Sequence, residues 1–533
     1  MTIAKTSLGD IEGRIADGLH VFRGIPYAET TEGAWRFRPA RRKTPWTGVL
    51  KALEPRAVAP QLQDVAYAMA GTSVEHLCNE DCLELNVWTP DVEGARPTMV
   101  YIHGGGYLYG SSHEADYDGG ALARAGDVVV VTINYRLGIF GHLYLGAKGG
   151  DEFRDSGTLS LLDQIEALRW VNANIAAFGG DPKNITIFGE SCGGLSVSHL
   201  TASPLTKGLF QRMIAMSGAA AGRTEQIGAD ITAAIMKRAN ANTVADLQAL
   251  GMKELLALQG WALAELGMAE GTFIPVIGPS SALPEDPLDL MAKGAGSDVD
   301  MMLGYTRDEM RYWEFYYPGL LDKPAASVRK WASDLFGNTG PKVLDTYARI
   351  RPNEKPGELA CTIVGDIIFG YMSDQQALRH ARHNPRTWMY RVDWRTSMLD
   401  GRLGSPHACE LPFVFGSFDI PWGMKVAEHD TPGRRALLAA FQGAFLAFAR
   451  TGNPNHAGIP TWNPYDKKDR TTMIFDATTE SRINPARDEI ALWDEIIGPD
   501  KVSESPRYFH FPVDEGYPTG ETAEETANRL SAA

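Results

Sequence analysis

Between Leu8 and Tyr27 apolar and polar residues alternate, with turn signals at Gly9-Asp10 and Asp17-Gly18, which predicts an antiparallel hairpin at the edge of a sheet. Leu83 to Trp88 and Thr98 to Ile102 read as two further strands. Val128 to Asn134 is almost continuously apolar, as suits a central strand covered on both faces. The period then changes. Leu161, Leu162, Ile165, Leu168, Val171 and Ile175 recur at helical spacing, and Gly179-Gly180 with Asp181-Pro182 stops that helix. Ile185, Ile187 and Phe188 make a short strand, and Arg212 to Met216 and Val299 to Leu303 make two more. A helical stretch from about Ile231 to Leu266 separates that last pair and is long enough to form a cap. Trp388 to Trp394 is the last clear strand, followed by a loop and by helices that include the apolar run Ala436 to Ala449. Strands alternating with helices predict an α/β class with one large, mostly parallel sheet and helices on both faces.

The stretch Asn184-Ile-Thr-Ile-Phe-Gly-Glu-Ser-Cys-Gly-Gly194 joins a strand to a helix through the pattern G-x-S-x-G. Its glycines permit a turn so tight that the Ser191 side chain stands clear of its own main chain, where a hydroxyl can attack a carbonyl. A chain with this glycine content holds roughly 0.3 such pentapeptides by accident, so the weight comes from the flanking strand and helix.

A serine nucleophile needs a base, an acid to orient the base, and donors for the oxyanion. In open α/β sheets working residues lie beyond the carboxyl ends of the strands. Downstream of Ser191, Glu309 follows the strand ending at Leu303, and His407 lies on the loop after the strand ending at Trp394. Asp308 competes with Glu309, since strand register alone does not separate them. His380 and His383 precede a strand and so belong at the other end of the sheet. The N–H groups of Gly105 and Gly106, after the strand ending at Ile102, and that of Cys192 would supply three oxyanion donors. With His407 as base, activity is expected to fall on the acid side near the ordinary imidazole pKa of ~6.5.

Composition narrows the class. The 533 residues are 44% hydrophobic and 22% charged, ordinary for a soluble globular enzyme, and the net charge of −15 with no Lys/Arg run argues against nucleic acid as a partner. The Ala436 to Ala449 run is too short to cross a bilayer, so no membrane span is expected. The first residues lack the apolar core of a signal peptide, which makes cytoplasmic residence the expectation. Cysteines 78, 82, 192, 361 and 409 lack paired zinc-ligand spacing and read as free thiols, with no metal and no cofactor implied.

The stretches Phe22-Arg-Gly-Ile-Pro-Tyr-Ala28, Glu80-Asp-Cys-Leu-Glu-Leu-Asn-Val-Trp88, His103-Gly-Gly-Gly106, Asn134-Tyr-Arg-Leu-Gly138, Phe178-Gly-Gly-Asp-Pro182, Gly189-Glu-Ser-Cys-Gly193 and His407-Ala-Cys-Glu-Leu-Pro-Phe-Val-Phe-Gly416 together resemble the type-B carboxylesterases, the α/β-hydrolase family that includes bacterial p-nitrobenzyl esterases and cholinesterases. The resemblance implies that Ser191, Glu309 and His407 are catalytic, and that Gly105, Gly106 and Cys192 form the oxyanion hole. It also places Glu190 and Ser217 as polar groups near the triad. Departures accompany it. Cys192 stands where the family usually has Ala, Met310 where it has Gly after the acid, and Thr158 where it has Asn. Ala59 replaces the cysteine that secreted members pair with the one matching Cys82, so that disulfide is not expected. Thr72 falls where cholinesterases carry the choline-binding Trp, which argues against a choline specialist.

The expected protein is a serine carboxylesterase acting through an acyl-enzyme on neutral, fairly hydrophobic esters. Its hydrolase domain would span 1–497 with a cap insertion at about 222–290, ahead of an acidic tail at 498–533. Hydrolysis of an amide, carbamate or lactone by the same triad is the alternative, and a non-catalytic interaction domain of this fold fits less well. Two stretches are expected at the pocket: Tyr312-Trp-Glu-Phe-Tyr-Tyr317, about half of it as ordinary core, and the loop Gln61 to Asn79 with Val65, Tyr67, Met69 and Leu77 as an apolar rim. The natural ester and the oligomeric state are not encoded in any motif.

Overall fold

The structure is a computed structural model that describes residues 1–62, 75–266, 272–278, 280–499, 501–502, 509 and 511–512. Val65, Tyr67, Met69, Thr72 and nearly all of the acidic tail lie outside the described residues.

The chain opens on an antiparallel meander, β1 (Thr2–Thr6), β2 (Gly9–Ala16) and β3 (Leu19–Pro26), with β4 (Val49–Lys51) added beside β2. The expected hairpin is therefore its second half, and β1 precedes it. The sheet proper follows with β5 (Glu84–Thr89), β6 (Arg96–Ile102), β7 (Val129–Ile133), β8 (Gly180–Glu190) and β9 (Arg212–Met216). Two short strands, β10 (Arg223–Thr224) and β11 (Val276–Ile277), pair with each other away from it. The last four are β12 (Asp300–Thr306), β13 (Thr387–Val392), β14 (Thr471–Phe475) and β15 (Glu480–Ile483). Among the described residues the sheet has 13 strands, in the order β1-β2-β3-β5-β7-β6-β8-β9-β12-β13-β14-β15, with β4 off that path. From β7 through β14 every neighbouring pair is parallel, so the carboxyl ends of these strands share one edge.

Strand alternation sends successive side chains to opposite faces. Along β6, Met99 and Tyr101 join one apolar cluster while Val100 and Ile102 join the other. Leu161, Ile165 and Leu168 of the helix Leu159–Asn174 pack into the second, and Leu437, Phe441 and Phe445 of the helix Pro432–Thr451 into the first. The sheet is thus covered on both faces, which explains the nearly continuous apolar run of β7. The Ala436 to Ala449 run belongs to that buried helix, and among the described residues no helix is long and apolar enough to cross a membrane.

The helical stretch expected from Ile231 to Leu266 is made of three helices, Glu225–Arg238, Val244–Ala249 and Met252–Leu266. Asn240 at φ 52° ends the first, and Thr243 and Asp246 close a reciprocal capping box on the second. One expectation is corrected: Trp388 to Trp394 is not the last strand, since β14 extends the parallel run and β15 folds back on it as an antiparallel edge.

Candidate active site

Each residue singled out from the sequence leaves the sheet at the same edge. Gly104 to Gly106 follow β6, Ser191 follows β8, Ser217 follows β9, Glu309 follows β12, and His407 lies on the loop after β13. His380 lies at the opposite edge, where its ring bonds Thr387 Oγ1 at the start of β13 and Val299 O just before β12.

Ser191 sits at φ 58°, ψ −126°, a conformation that costs a non-glycine residue about 1–3 kcal/mol. Its amide is anchored to Met216 O at 2.9 Å, and the helix Cys192–Ala202 starts at once. The glycines permit the closeness. A Cβ on Gly193 would lie 2.1 Å from Ile102 O, and one on Gly189 would lie 2.6 Å from the Gly193 backbone.

His407 Nδ1 meets Glu309 Oε2 at 2.5 Å. Glu309 is fixed in turn: its Oε1 accepts from the Thr306 amide at 2.7 Å and from Ser217 Oγ at 2.6 Å. Asp308 faces elsewhere, accepting the Ser405 amide at 2.9 Å and pairing with Arg311 at 3.3 Å. The geometry therefore separates the two acids that strand register left open. The other imidazole nitrogen, Nε2, lies 3.0 Å from Glu190 Oε1, and neither atom reaches hydrogen-bonding geometry with a described partner. Ser191 and His407 share no hydrogen bond in this arrangement, and catalytic bonds often tighten only when substrate is bound.

Burial alone would depress the His407 pKa, but the charges of Glu190 and Glu309 and the bond to Glu309 outweigh it and hold the group up at about 9. The neighbouring carboxylates thus move this imidazole upward from its ordinary value. Glu190 is pushed up to about 7 by burial, against the pull of His407. Glu410 is fully buried with neither carboxyl oxygen bonded, and burial with the charges of Glu190 and Glu309 drives it well above the carboxylate range.

Gly105 has φ 100° and Gly106 φ 61°. A Cβ on Gly105 would lie 2.1 Å from Tyr109 O, whereas one on Gly106 would meet nothing within 4 Å. Cys192, first residue of its helix, has an amide with no intrahelical acceptor. Its Sγ accepts the Tyr107 amide at 3.1 Å, which ties the glycine loop to the nucleophile helix. Burial pushes this thiol up to about 12, so it is not a competing nucleophile at neutral pH.

A cavity of about 450 Å³ opens over Ser191, His407, Glu190 and Gly105. Val58, Leu77, Leu411, Ile420 and Trp422 give it apolar walls, and Glu114, Asp116 and Lys425 add polar groups. Of the aromatic run, Tyr312 lines the cavity with its ring 6.1 Å from that of His407, and Trp313 lies 5.4 Å from it. Phe315 and Tyr316 are buried core. Sequence reasoning missed Phe369, whose ring lies 5.0 Å from His407 on the π-helical turn Asp366–Tyr371, and assigned no role to Glu410. The spacing of Glu410 three residues after His407 was its one visible signal. Among the described residues no group of three or more His, Cys, Asp or Glu is placed to hold a metal ion.

Known proteins show the same design. The para-nitrobenzyl esterase of Bacillus subtilis (strain 168) is 36% identical over 484 residues, covering 89% of this chain and 95% of that protein. The liver carboxylesterase of Sus scrofa is 31% identical over 553 residues, with 95% of both covered. Among solved structures, the Geobacillus stearothermophilus carboxylesterase EST55 at pH 6.2 superposes with a TM-score of 0.83 at 33% identity, covering 92% of this chain and all of that one. The α/β-hydrolase fold of these esterases is thus the fold of this chain. The profile of the Carboxylesterase family matches residues 1–493, and with a strand edge that gathers serine, acid and histidine in that order, the chain belongs to the carboxylesterase family.

Proposed function

We propose that this carboxylesterase hydrolyses neutral, fairly hydrophobic carboxylic esters through an acyl-enzyme. Ser191 attacks the ester carbonyl, His407 takes its proton and returns it to the leaving alcohol, and Glu309 orients the imidazole and stabilises its cation. The amides of Gly105, Gly106 and Cys192 receive the oxyanion. Proton transfer requires Nε2 to turn from Glu190 to Ser191 Oγ, so Glu190 holds the base between turnovers. The second step repeats the sequence with water as nucleophile. The observation that carries this reading is the 2.5 Å contact between His407 and Glu309 beside a serine on a strained elbow. Relatives named as esterases favour an ester over an amide, carbamate or lactone. The hydrolase domain is taken as 1–497 with the insertion 222–290 as its cap. Five free thiols, at Cys78, Cys82, Cys192, Cys361 and Cys409, support cytoplasmic residence.

The test is Ser191→Ala. Turnover of a p-nitrophenyl ester should fall by about 10⁶-fold with the melting temperature preserved. An organophosphate adduct mapped to any residue other than Ser191 would overturn the assignment.

A further inference from the structure

Beyond β12 and β13, outside the catalytic cavity, lies a second cleft of about 510 Å³ in which six of the twelve lining residues are arginine. That density is unexpected in a chain of net charge −15. The cleft's acids are Asp393, Asp476, Asp488 and Glu489, so its formal balance is 6 − 4 = +2. Pairing leaves that balance unchanged and shows which arginines carry it. Arg391 uses Asp393 in a bidentate bridge at 2.6 and 2.7 Å, and Asp488 is engaged by Arg349 at 2.7 Å from outside the cleft. Arg482 pairs with Glu480, and Arg395 donates to Gly401 O at 3.2 Å. Arg307, Arg351 and Arg487 donate no side-chain hydrogen bond to any described residue, and Arg307 Nε is buried without a partner.

A guanidinium carries five donors in a planar fork matched to phosphate and carboxylate oxygens, and burying it with those donors unused is unfavourable. Burial first, and then the like charge of Arg351, depress Arg307 below the usual guanidinium range despite Asp308 and Asp393. Burial works against the charge of Arg351, and Asp366 and then Glu354 do most to offset it. Neither acid lines the cleft, so the donors facing it remain available.

We propose that this cleft is a binding site for a small polyanion, a phosphoryl or polycarboxylate group, held chiefly by Arg307 and Arg351 with Arg487 at the rim. Arg307 directly precedes Asp308 and Glu309, and its amide bonds Val392 O at 2.9 Å. An anion here therefore clamps the exits of β12 and β13, the two strands that carry the acid and the histidine.

The experiment is a thermal-unfolding titration of the full chain with inorganic phosphate and, separately, citrate, at constant ionic strength set with chloride. A saturable rise in melting temperature of about 1–3 °C is expected with at least one of them, and the stronger identifies the head group. Ser191→Ala should keep the rise, which separates this site from the catalytic one. Arg307→Gln with Arg351→Gln should abolish it, while Arg329→Gln, at an exposed arginine that does not line the cleft, should not. Should the double variant fail to fold, Arg487→Gln alone must raise the half-saturating concentration several-fold. No saturable response to either anion, or a response undiminished in the cleft variants, would overturn the site.

Discussion

Asp308 and Glu309 are adjacent, both acidic and both buried, yet they do different work. Glu309 receives one backbone amide, one hydroxyl and the imidazole, while Asp308 holds the loop at Ser405 and the ion pair with Arg311. Glu309→Gln should lower kcat by several orders of magnitude, and Asp308→Asn should act mainly on stability. Equal losses of kcat at unchanged melting temperature would undo the distinction. Glu190 offers a second test at this scale. A general base works only when neutral, so activity is lost as the pH falls through its pKa. Glu190 and Glu309 raise that pKa from ~6.5 toward about 9, so the acid limb of kcat/KM should lie above 6.5. Glu190→Gln removes an anion that stabilises the imidazolium, and the limb should move to lower pH. A pH–rate profile whose acid limb does not move in this variant would show that Glu190 leaves the base unperturbed.

At the scale of elements, the strand–turn–helix from β8 into Cys192–Ala202 was legible because local chemistry dictates it: only glycine fits where Gly193 passes Ile102 O. The same holds for β7, whose apolar run admits only a doubly covered strand. The three helices between Glu225 and Leu266 were less legible. Helical periodicity continues across their breaks, and the Thr243 and Asp246 caps are short polar signals inside it. Strand β15 escaped because it is wholly exposed, Glu-Ser-Arg-Ile, with no apolar face to announce it. The contact between His407 and Glu190 joins the end of β8 to a loop 217 residues later, and no spacing rule reaches that far. The glycine loop and nucleophile helix suggest a paired test. Gly105→Ala would drive a Cβ into Tyr109 O and should cut kcat by about 10²–10³, as loss of an oxyanion donor does. Cys192→Ala keeps the backbone amide and loses only the thiol that accepts from Tyr107, so most activity should remain. If both variants lost activity equally with thermal stability intact, the amides of Gly105 and Cys192 would not be the donors.

For the whole molecule, substrate choice follows from how the sheet edge and the loops above it enclose the cavity. Ser191 and His407 line it beyond the ends of β8 and β13, and Val58, Leu77, Leu411, Ile420 and Trp422 come from four separated parts of the chain to form apolar walls. A substrate group entering this space gives up water contact on several sides at once. Apolar burial contributes about 25 cal/mol per Å², so each added methylene should stabilise the transition state by up to ~0.8 kcal/mol, close to fourfold in kcat/KM, until the cavity is filled. The polar groups do not oppose this, because they occupy part of the lining while the acyl chain needs only one apolar wall. For a homologous series of p-nitrophenyl esters, kcat/KM should therefore climb from acetyl through butyryl or hexanoyl and then level off. Because the leaving group is constant, the trend isolates the acyl side from the chemistry at Ser191. A monotonic fall from acetyl onward would mean that the apolar walls do not receive the acyl chain, and would leave the roles of Ser191, Glu309 and His407 as they stand.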